Sequence, residues 1–519
     1  MSEGQSGPTN RLVRGKLSRG AVLFQSVSLI APAAGIATAA IIAANFVGGA
    51  MPLAAVVAVL GALCVAVSVS QFAKHLPSAG SVGTFVAKGL GGPFGFWNAW
   101  MYTIAEILVV TFVSLMSGNI VAGVMNSEYN WSFKATWIVI SVAVLVAVTI
   151  IHELGITVSA NVQRVVSIIE ILFFVALSIA LIISAGRHNT LGVFTVKYGN
   201  IPGYKGWGGI LPAIIFMVTG FAGVESAASL AEEARDPRRA VAFAVIGSIL
   251  AIGALYVLTS YAATVYFGPT RMGTFAAFNA GDPWTAMTKQ VWGVGWVALF
   301  LILVNSLFAC ANAGTNVSTR MLFSLGRSGL LPARLGRVHS RRQTPFAALL
   351  VVMLAALSLS LWLGLQYGPL TGFAILAVTS TSFIVSMYIL VQLACIAYFW
   401  RFQRQHFNWF LHLVVPLAGI ALFIPVLLAD LGIPVLSFIS KLSPPLSYGA
   451  YASFAVAALG LVIAIFLSVY KPDRLAHFGS AVLGLSEEDE AAGRDAVERE
   501  AAEGGVAAGE EVVAESALS

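Results

Sequence analysis

The sequence is short of charged residues. Of its 519 residues only 10% are Asp, Glu, Lys or Arg, whereas 58% are hydrophobic and the mean hydropathy is +0.87. Soluble domains carry about 25% charged and about 45–50% apolar residues. This deficit excludes a soluble multidomain enzyme and a disordered protein, and it indicates a polytopic membrane protein.

Cysteine and the motifs of soluble enzymes are also scarce. The three cysteines, Cys64, Cys310 and Cys395, lie inside apolar runs, which excludes a disulfide framework and a CxxC site. The chain contains no GxxxxGK[ST] loop, no HExxH pair and no GxSxG elbow. We therefore expect neither an ATP-driven pump nor an enzyme, and the sequence predicts no cofactor and no metal.

Long uncharged runs predict the crossings. The 54 residues between Arg19 and Lys74 contain no charge, which at about 1.5 Å per residue exceeds one crossing of about 30 Å. The turn at 48–52 divides this run into two helices. Twelve spans are predicted, at 22–48, 53–73, 94–122, 135–152, 161–185, 208–231, 240–267, 290–318, 345–365, 371–399, 408–430 and 449–470. No cleavable signal peptide is expected, since the first apolar stretch is too long.

The basic residues predict the orientation. With the N-terminus inside, the inner segments hold 22 of the 29 Lys and Arg residues, and six arginines lie between Arg320 and Arg342. The sequence therefore predicts a multi-pass protein of the plasma (inner) membrane with both termini cytoplasmic. The basic balance reflects these inner loops, so no nucleic-acid partner is expected.

Two spans carry breaks at comparable places. Span one contains Ala31-Pro32-Ala33-Ala34-Gly35, and span six contains Thr219-Gly220-Phe221-Ala222-Gly223. Proline removes a backbone donor, and the freed backbone groups are tolerated in a membrane only inside protein or beside a cavity. Breaks five spans apart favour a five-plus-five inverted repeat with its site at the breaks. The alternative interpretation is the ordinary use of Gly and Pro in membrane helices.

The predicted organisation has three parts. Residues 1–20 form a basic cytoplasmic N-terminus, and residues 471–519 form an acidic, disordered cytoplasmic tail. Between them, 21–470 form an all-α membrane domain of twelve helices. Within it, repeat one covers about 21–186, repeat two covers about 207–400, and helices eleven and twelve cover about 407–470.

Three carboxyl groups lie inside or beside predicted spans. Glu106 and Glu170 lie about twelve and ten residues into spans three and five, which places both side chains ~15–18 Å deep. Glu225 follows the break in span six. A carboxylate at such depth costs several kcal/mol unless it is paired, hydrated or protonated. All three are therefore candidates for proton coupling; the alternative is a permanently protonated acid that bonds freed carbonyls.

The breaks also offer complementary poles for a ligand. The amides of Ala33, Ala34, Gly35 and Ile36 suit a carboxylate at a helix N-terminus. The carbonyls of Thr219, Gly220, Phe221 and Ala222 would accept an ammonium group. A site with both poles suits a zwitterion, and Phe221 is a candidate to close over it, although an aromatic there also suits core packing.

Three stretches resemble the signatures of amino acid permeases of the amino acid–polyamine–organocation superfamily. They are 221–226 with 232–239, 320–332 with His339 and 344–345, and 76–81 with 92–95. The resemblance covers roughly residues 20–470. It implies twelve helices in the LeuT-like inverted repeat, alternating access, and a substrate site at the two breaks. In proton-coupled relatives an ionisable residue of span five stands in the place of a sodium ion, and Glu170 falls at that position.

The sequence departs from the family pattern at three places. Ala33-Ala34-Gly35-Ile36 replaces the usual Gly-Ser-Gly-Ile, so a hydroxyl is lost. Thr219 stands where some relatives have a large aromatic gate, and Glu170 stands where some have Lys.

The sequence predicts a secondary transporter that moves an amino acid together with a proton. An amino acid/amine exchanger or a polyamine importer remains open, because Glu106 and Glu225 would suit a second ammonium group. A transporter-like sensor or channel is the alternative from another class. The sequence decides neither the accepted side chain nor the oligomeric state.

Overall fold

The computed structural model is almost entirely helical over the residues that it describes. These residues are 20, 22–23, 27, 30–76, 82–154, 160–223, 237–338, 344–433, 435 and 440–476. The strands in this part of the chain are β1 (Asn200–Ile201) and β2 (Tyr204–Lys205), which pair antiparallel with Asn200 opposite Lys205. The predicted N-terminal segment 1–20 and the acidic tail lie mostly outside the described residues.

The α-helices follow one another through short turns. They are α1 (Pro32–Val47), α2 (Met51–His75), α3 (Val82–Leu90), α4 (Gly92–Tyr129), α5 (Thr136–Leu154), α6 (Ala160–Ala185), α7 (Trp207–Thr219), α8 (Pro237–Phe267), α9 (Pro283–Trp292), α10 (Trp296–Arg327), α11 (Phe346–Tyr367), α12 (Pro369–Phe402), α13 (Val415–Asp430), α14 (Ser447–Tyr470) and α15 (Pro472–Ala476).

Ten helical segments of the described chain are long and apolar enough to cross a membrane. One of them, Pro32–His75, contains α1 and α2 joined through the 3-10 turn Gly48–Ala50. The helix α7 is apolar but has 13 residues, so it falls short of a full crossing. The predicted all-α membrane class is thus confirmed, whereas the count of twelve crossings stays a prediction.

Many hydroxyl side chains inside these helices bond to a carbonyl of their own preceding turn. In α4, Thr103 donates to the Ala99 carbonyl at 2.7 Å, and Ser117 donates to the Val113 carbonyl at 2.8 Å. A lipid environment offers no water to such groups, so bonding to the preceding turn keeps them paired. This pattern lets the central helices carry many Ser and Thr residues without an external partner.

Four pairs of helices that stand five predicted spans apart pack against each other. The pairs are α1 with α7, α2 with α8, α4 with α10, and α5 with α11. Small residues let some helices pack closely. Gly118 of α4 lies so near α5 that a Cβ added to it would be 3.1 Å from the carbonyl carbon of Trp137. The helices α1 and α7, which belong to the two spans with predicted breaks, are thus neighbours in the interior.

Candidate functional site

The first break lies where the sequence places Pro32. Ile30 is helical, Ala31 takes a left-handed conformation with φ 50° and ψ 72°, and α1 begins at Pro32. Positive φ is uncommon for a residue with a Cβ, and proline has no N–H to continue the preceding helix. The start of α1 therefore points a helix N-terminus, with its positive dipole end, into the protein interior.

The second break lies at the end of α7. The helix stops at Thr219, and 220–223 form turns in which Gly223 has a φ of 95°. The carbonyl of Thr219 accepts from the Ala222 amide at 3.2 Å, and that of Gly220 accepts from the Tyr256 hydroxyl at 2.9 Å. Glu225 lies outside the described residues.

A cavity of about 50 Å³ lies between the two breaks. Ala34 and Gly35 line it from the first break, and Thr219, Gly220 and Ala222 line it from the second. The opposite wall comes from α4 and α10 and is mostly apolar, with Val109, Phe112, Val113 and Val317. The cavity thus has backbone groups of two broken helices on one side and aliphatic surface on the other.

Three of the proposed carboxylate-binding amides already have partners. The Ala33 amide donates to Glu170 Oε2 at 3.4 Å, the Ala34 amide donates to Ser306 Oγ at 3.0 Å, and the Gly35 amide donates to the Ala31 carbonyl at 3.2 Å. The start of α1 is therefore bound to side chains of α6 and α10, while Ala34 and Gly35 also line the cavity.

Glu170 bridges three helices. Its carboxyl group lies in α6 and accepts from Ala33 of α1 and, in α10, from Ser306 Oγ at 3.0 Å and Asn305 Nδ2 at 3.3 Å. The residue is 3% exposed, and these partners are all neutral donors. Glu170 accepts all three hydrogen bonds, as a carboxylate does, while the Asn305 amide and the Ser306 hydroxyl also carry oxygen atoms able to accept from a protonated acid.

Glu106 occupies a different place. It lies in α4, is 6% exposed and lines the cavity itself, with its Oε2 facing Gly314 of α10. Of the three candidate carboxyl groups, the structure describes Glu106 and Glu170, and it separates them. Glu106 is at the cavity wall, and Glu170 is at the N-terminus of α1.

Phe221 packs in the core. It is fully buried, and its ring lies 5.0 Å from the ring of Tyr256 between centroids. Phe221, Ala33 and Ile36 are not among the described residues that line the cavity. This placement matches core packing, the second interpretation offered for an aromatic at the break.

Sequence reasoning missed the contributions of α8 and α10. Tyr256, Asn305, Ser306 and Cys310 carry no charge in mid-span, so none of them stood out as a site residue. A signal was present in α10, where Ser306, Cys310, Ala313, Gly314 and Val317 recur at helical spacing as a face of small or polar residues. No comparable pattern marks Tyr256.

Comparison with known proteins identifies the family of the chain. A family model described as amino acid permease matches residues 17–472. Among curated proteins, the branched-chain amino acid permease BcaP of Bacillus subtilis (strain 168) is 27% identical over 58% of this chain and 65% of its own length.

Other relatives have different names. The low-affinity putrescine importer PlaP of Escherichia coli (strain K12) is 23% identical over 61% of this chain and 68% of its own. The lysine-specific permease LysP of Lactococcus lactis subsp. cremoris (strain MG1363) is 27% identical over 56% and 58%. The chain thus spans about two thirds of the length of the curated relatives it matches. Since the family model covers most of the sequence, the chain belongs to the amino acid permease family of the amino acid–polyamine–organocation superfamily.

Proposed function

We propose that this chain is a secondary active transporter that moves an amino acid across the plasma membrane by alternating access, coupled to protons. The observation that carries the proposal is the position of Glu170, which joins the start of α1 to α10 through Ala33, Ser306 and Asn305. A group that links two helices and can change its charge is suited to couple a proton to their arrangement.

The architecture we propose has twelve crossings in a five-plus-five inverted repeat. The 44 residues of Pro32–His75 would span about 66 Å as one straight helix, about twice the hydrocarbon thickness, so the turn at Gly48–Ala50 separates two crossings. A further crossing includes the short α7, interrupted at its end. The pairwise packing of helices five spans apart supports the repeat.

Substrate and proton would be coupled through one helix end. We propose that the substrate carboxylate binds beside the N-terminus of α1 near Ala34 and Gly35, and that the ammonium group binds the carbonyls after Thr219. Charged Glu170 occupies the same positive end of α1, and two anions there repel each other. Protonation of Glu170 removes one of them, so proton and substrate assist each other's binding, reciprocally.

Protonation also changes the hydrogen bonds of Glu170. An acid O–H donates instead of accepting, so one of its three donors must turn away or reverse. Asn305 can turn its amide so that its oxygen accepts this proton, which leaves the Oε2 side bonded to Ser306 and Ala33. The link between α6 and α10 thereby differs between the two charge states.

The test is uptake as a function of pH in Glu170→Gln. We expect wild-type uptake of leucine to rise as pH falls, and the variant, which is permanently neutral, to lose this dependence while retaining binding. The matched control is Glu128→Gln, an outer carboxylate that pairs with Lys289 at 2.5 Å. Unchanged proton dependence in Glu170→Gln would eliminate its role.

An amine substrate is a second candidate, favoured by Glu106 at the cavity wall. A carboxylate there suits a second ammonium group, as in lysine or putrescine, whereas the apolar wall suits an aliphatic side chain. Competition of leucine, lysine and putrescine for uptake separates the two. In Glu106→Gln a diamine transporter would lose putrescine and lysine but keep leucine.

Loading of proteoliposomes separates symport from exchange. A symporter needs only a proton gradient, whereas an exchanger needs internal substrate. A channel would pass substrate far faster than alternating access allows, and a sensor would bind it without moving it.

A further inference from the structure

Two glycines, one from each helix break, meet at a single hydroxyl group. A Cβ on Gly35 of α1 would overlap the Tyr256 hydroxyl, and so would a Cβ on Gly220 at the end of α7. The same Cβ on Gly35 would lie 3.3 Å from the Cα of Gly220. The two broken segments therefore approach each other as closely as glycine permits, with the phenol oxygen between them.

Backbone conformation does not require these glycines. Gly35 lies within α1, and Gly220 has φ −71° and ψ −8°, which any residue adopts. Glycine in a helix costs roughly 1 kcal/mol relative to alanine. The reason for both glycines is thus the space that Tyr256 takes up.

Tyr256 is itself firmly placed in α8. It is 3% exposed, its ring packs on Phe221, and its hydroxyl donates to the Gly220 carbonyl at 2.9 Å. Of the described residues, Gly35 and Gly220 line the cavity and Tyr256 does not. The tyrosine thus contacts both breaks without lining the cavity.

We propose that Tyr256 is a positioning residue that sets the spacing of the two breaks and the direction of the Gly220 carbonyl. This inference rests on the proposed function, in which that carbonyl binds the substrate ammonium group. The hydrogen bond uses one lone pair of the carbonyl oxygen and leaves the other for substrate. Without the hydroxyl, the end of α7 loses the contact that fixes it relative to α1.

The first test is Tyr256→Phe, which removes one oxygen atom and keeps the ring. We expect the KM for uptake to rise about three- to tenfold with little change in maximal rate, the size expected for one hydrogen bond that orients a ligand group. Uptake is measured with leucine, lysine and putrescine, and the variant is compared with wild type at equal amounts of folded protein. A purely structural role would lower the amount of folded protein and leave KM unchanged, which would overturn the proposal.

The second test uses the unequal surroundings of the two glycines. Beyond the hydroxyl, a Cβ on Gly35 would meet the Tyr256 Cζ at 3.2 Å, a gap that a small shift relieves. A Cβ on Gly220 would meet Cε2 at 2.5 Å and Cζ at 2.6 Å, and these ring atoms remain in phenylalanine. We therefore expect Gly35→Ala to lose at least tenfold in uptake, the double variant with Tyr256→Phe to return to the level of Tyr256→Phe alone, and Gly220→Ala to stay impaired with or without Tyr256→Phe.

Equal rescue of both glycine variants, or rescue of neither, would refute the spacing role. If the wild-type chain takes up none of the three compounds, the proposed function fails instead. The melting temperatures of the same proteins then test the spacing role. Tyr256→Phe should restore the melting temperature that Gly35→Ala lowers, and it should not restore the melting temperature that Gly220→Ala lowers.

Discussion

At the scale of single residues, the buried carboxyl groups differ by what surrounds them. Glu170 accepts from three neutral donors of two other helices, whereas Glu106 faces the cavity between the breaks. Their depths along the sequence are similar, about twelve and ten residues into their predicted spans, and do not distinguish them. Their surroundings suggest separate tasks, one for the proton and one for the substrate.

Asp282 is a third buried carboxyl group, just before α9, and it gives a pH-dependent prediction. Burial, with a smaller contribution from the charge of Glu128, raises the pKa of Asp282 from its ordinary 3.8 to about 6, against the opposing hydrogen bonds from Thr285. Because the pKa of Asp282 is higher in the folded than in the unfolded state, protonated Asp282 stabilises the folded protein. This stabilisation is complete below pH about 4 and is lost as pH rises through about 6.

We expect Asp282→Asn to remove this loss. Asparagine can still accept from the Thr285 amide, the N-cap bond that Oδ1 now makes at 3.2 Å. Between pH 5 and 7.5 the stability of wild type should fall relative to the variant by about 1.4 kcal/mol, which is one pKa unit at 1.36 kcal/mol per unit, and the melting temperature should fall with it. The control is Asp473→Asn at an exposed position. Parallel profiles for wild type and Asp282→Asn would contradict the prediction.

At the scale of elements, the start of α1 is the decisive feature. Ala31 at positive φ and Pro32 at the first helical position interrupt the predicted span, and the buried N-terminal end of α1 is bonded to Glu170 and Ser306. The second turn of α1 is held from another side, because the Trp284 indole donates to the Ala37 carbonyl at 3.2 Å. The element is thus fixed at both its broken end and its flank.

Pro32→Ala tests whether the break itself matters. Alanine restores the N–H and removes the ring that clashes with a preceding turn, so the helix can run through residue 31. We expect at least a tenfold loss of leucine, lysine or putrescine affinity, with an unchanged or higher melting temperature. Pro212→Ala within α7 is the matched control, since that proline lies inside a helix and not at a break. Full affinity in Pro32→Ala would show that the break is not needed for binding.

At the scale of the whole molecule, the chain is a multi-pass helical protein whose interior holds the start of α1 and the end of α7. Helices five predicted spans apart pack as pairs, and α4 and α12 have the most enclosed spans. This arrangement places the cavity at the centre and leaves the apolar outer faces of α5 and α14 for lipid. Any movement of the breaks is thereby confined to the interior.

The predicted orientation can be checked with two single cysteines. In a variant without Cys64, Cys310 and Cys395, the exposed positions Asn189 and Arg334 are replaced by cysteine one at a time. We expect a membrane-impermeant maleimide to label Asn189→Cys in intact cells and Arg334→Cys only after permeabilisation, since 22 of the 29 Lys and Arg residues fall inside on the predicted topology. The reverse pattern would invert the proposed topology.

The sequence by itself determined the class of the molecule. A membrane interior admits uncharged helices and few other structures, so the uncharged runs were sufficient to predict an all-α membrane protein. The positions of Pro32 and Gly220 predicted the two breaks for the same reason, because proline and glycine act on their own backbone. The family followed from local motifs.

Tertiary structure alone decided which groups meet. Glu170 is 136 residues from Ser306, and Gly35 is about 220 residues from Tyr256, so no local pattern relates them. The number and depth of carboxyl groups can be read along a helix, but the direction in which each points depends on how the helix is rotated against its neighbours. That rotation results from packing at many contacts along the helices, and it is what separates Glu106 at the cavity from Glu170 at the end of α1.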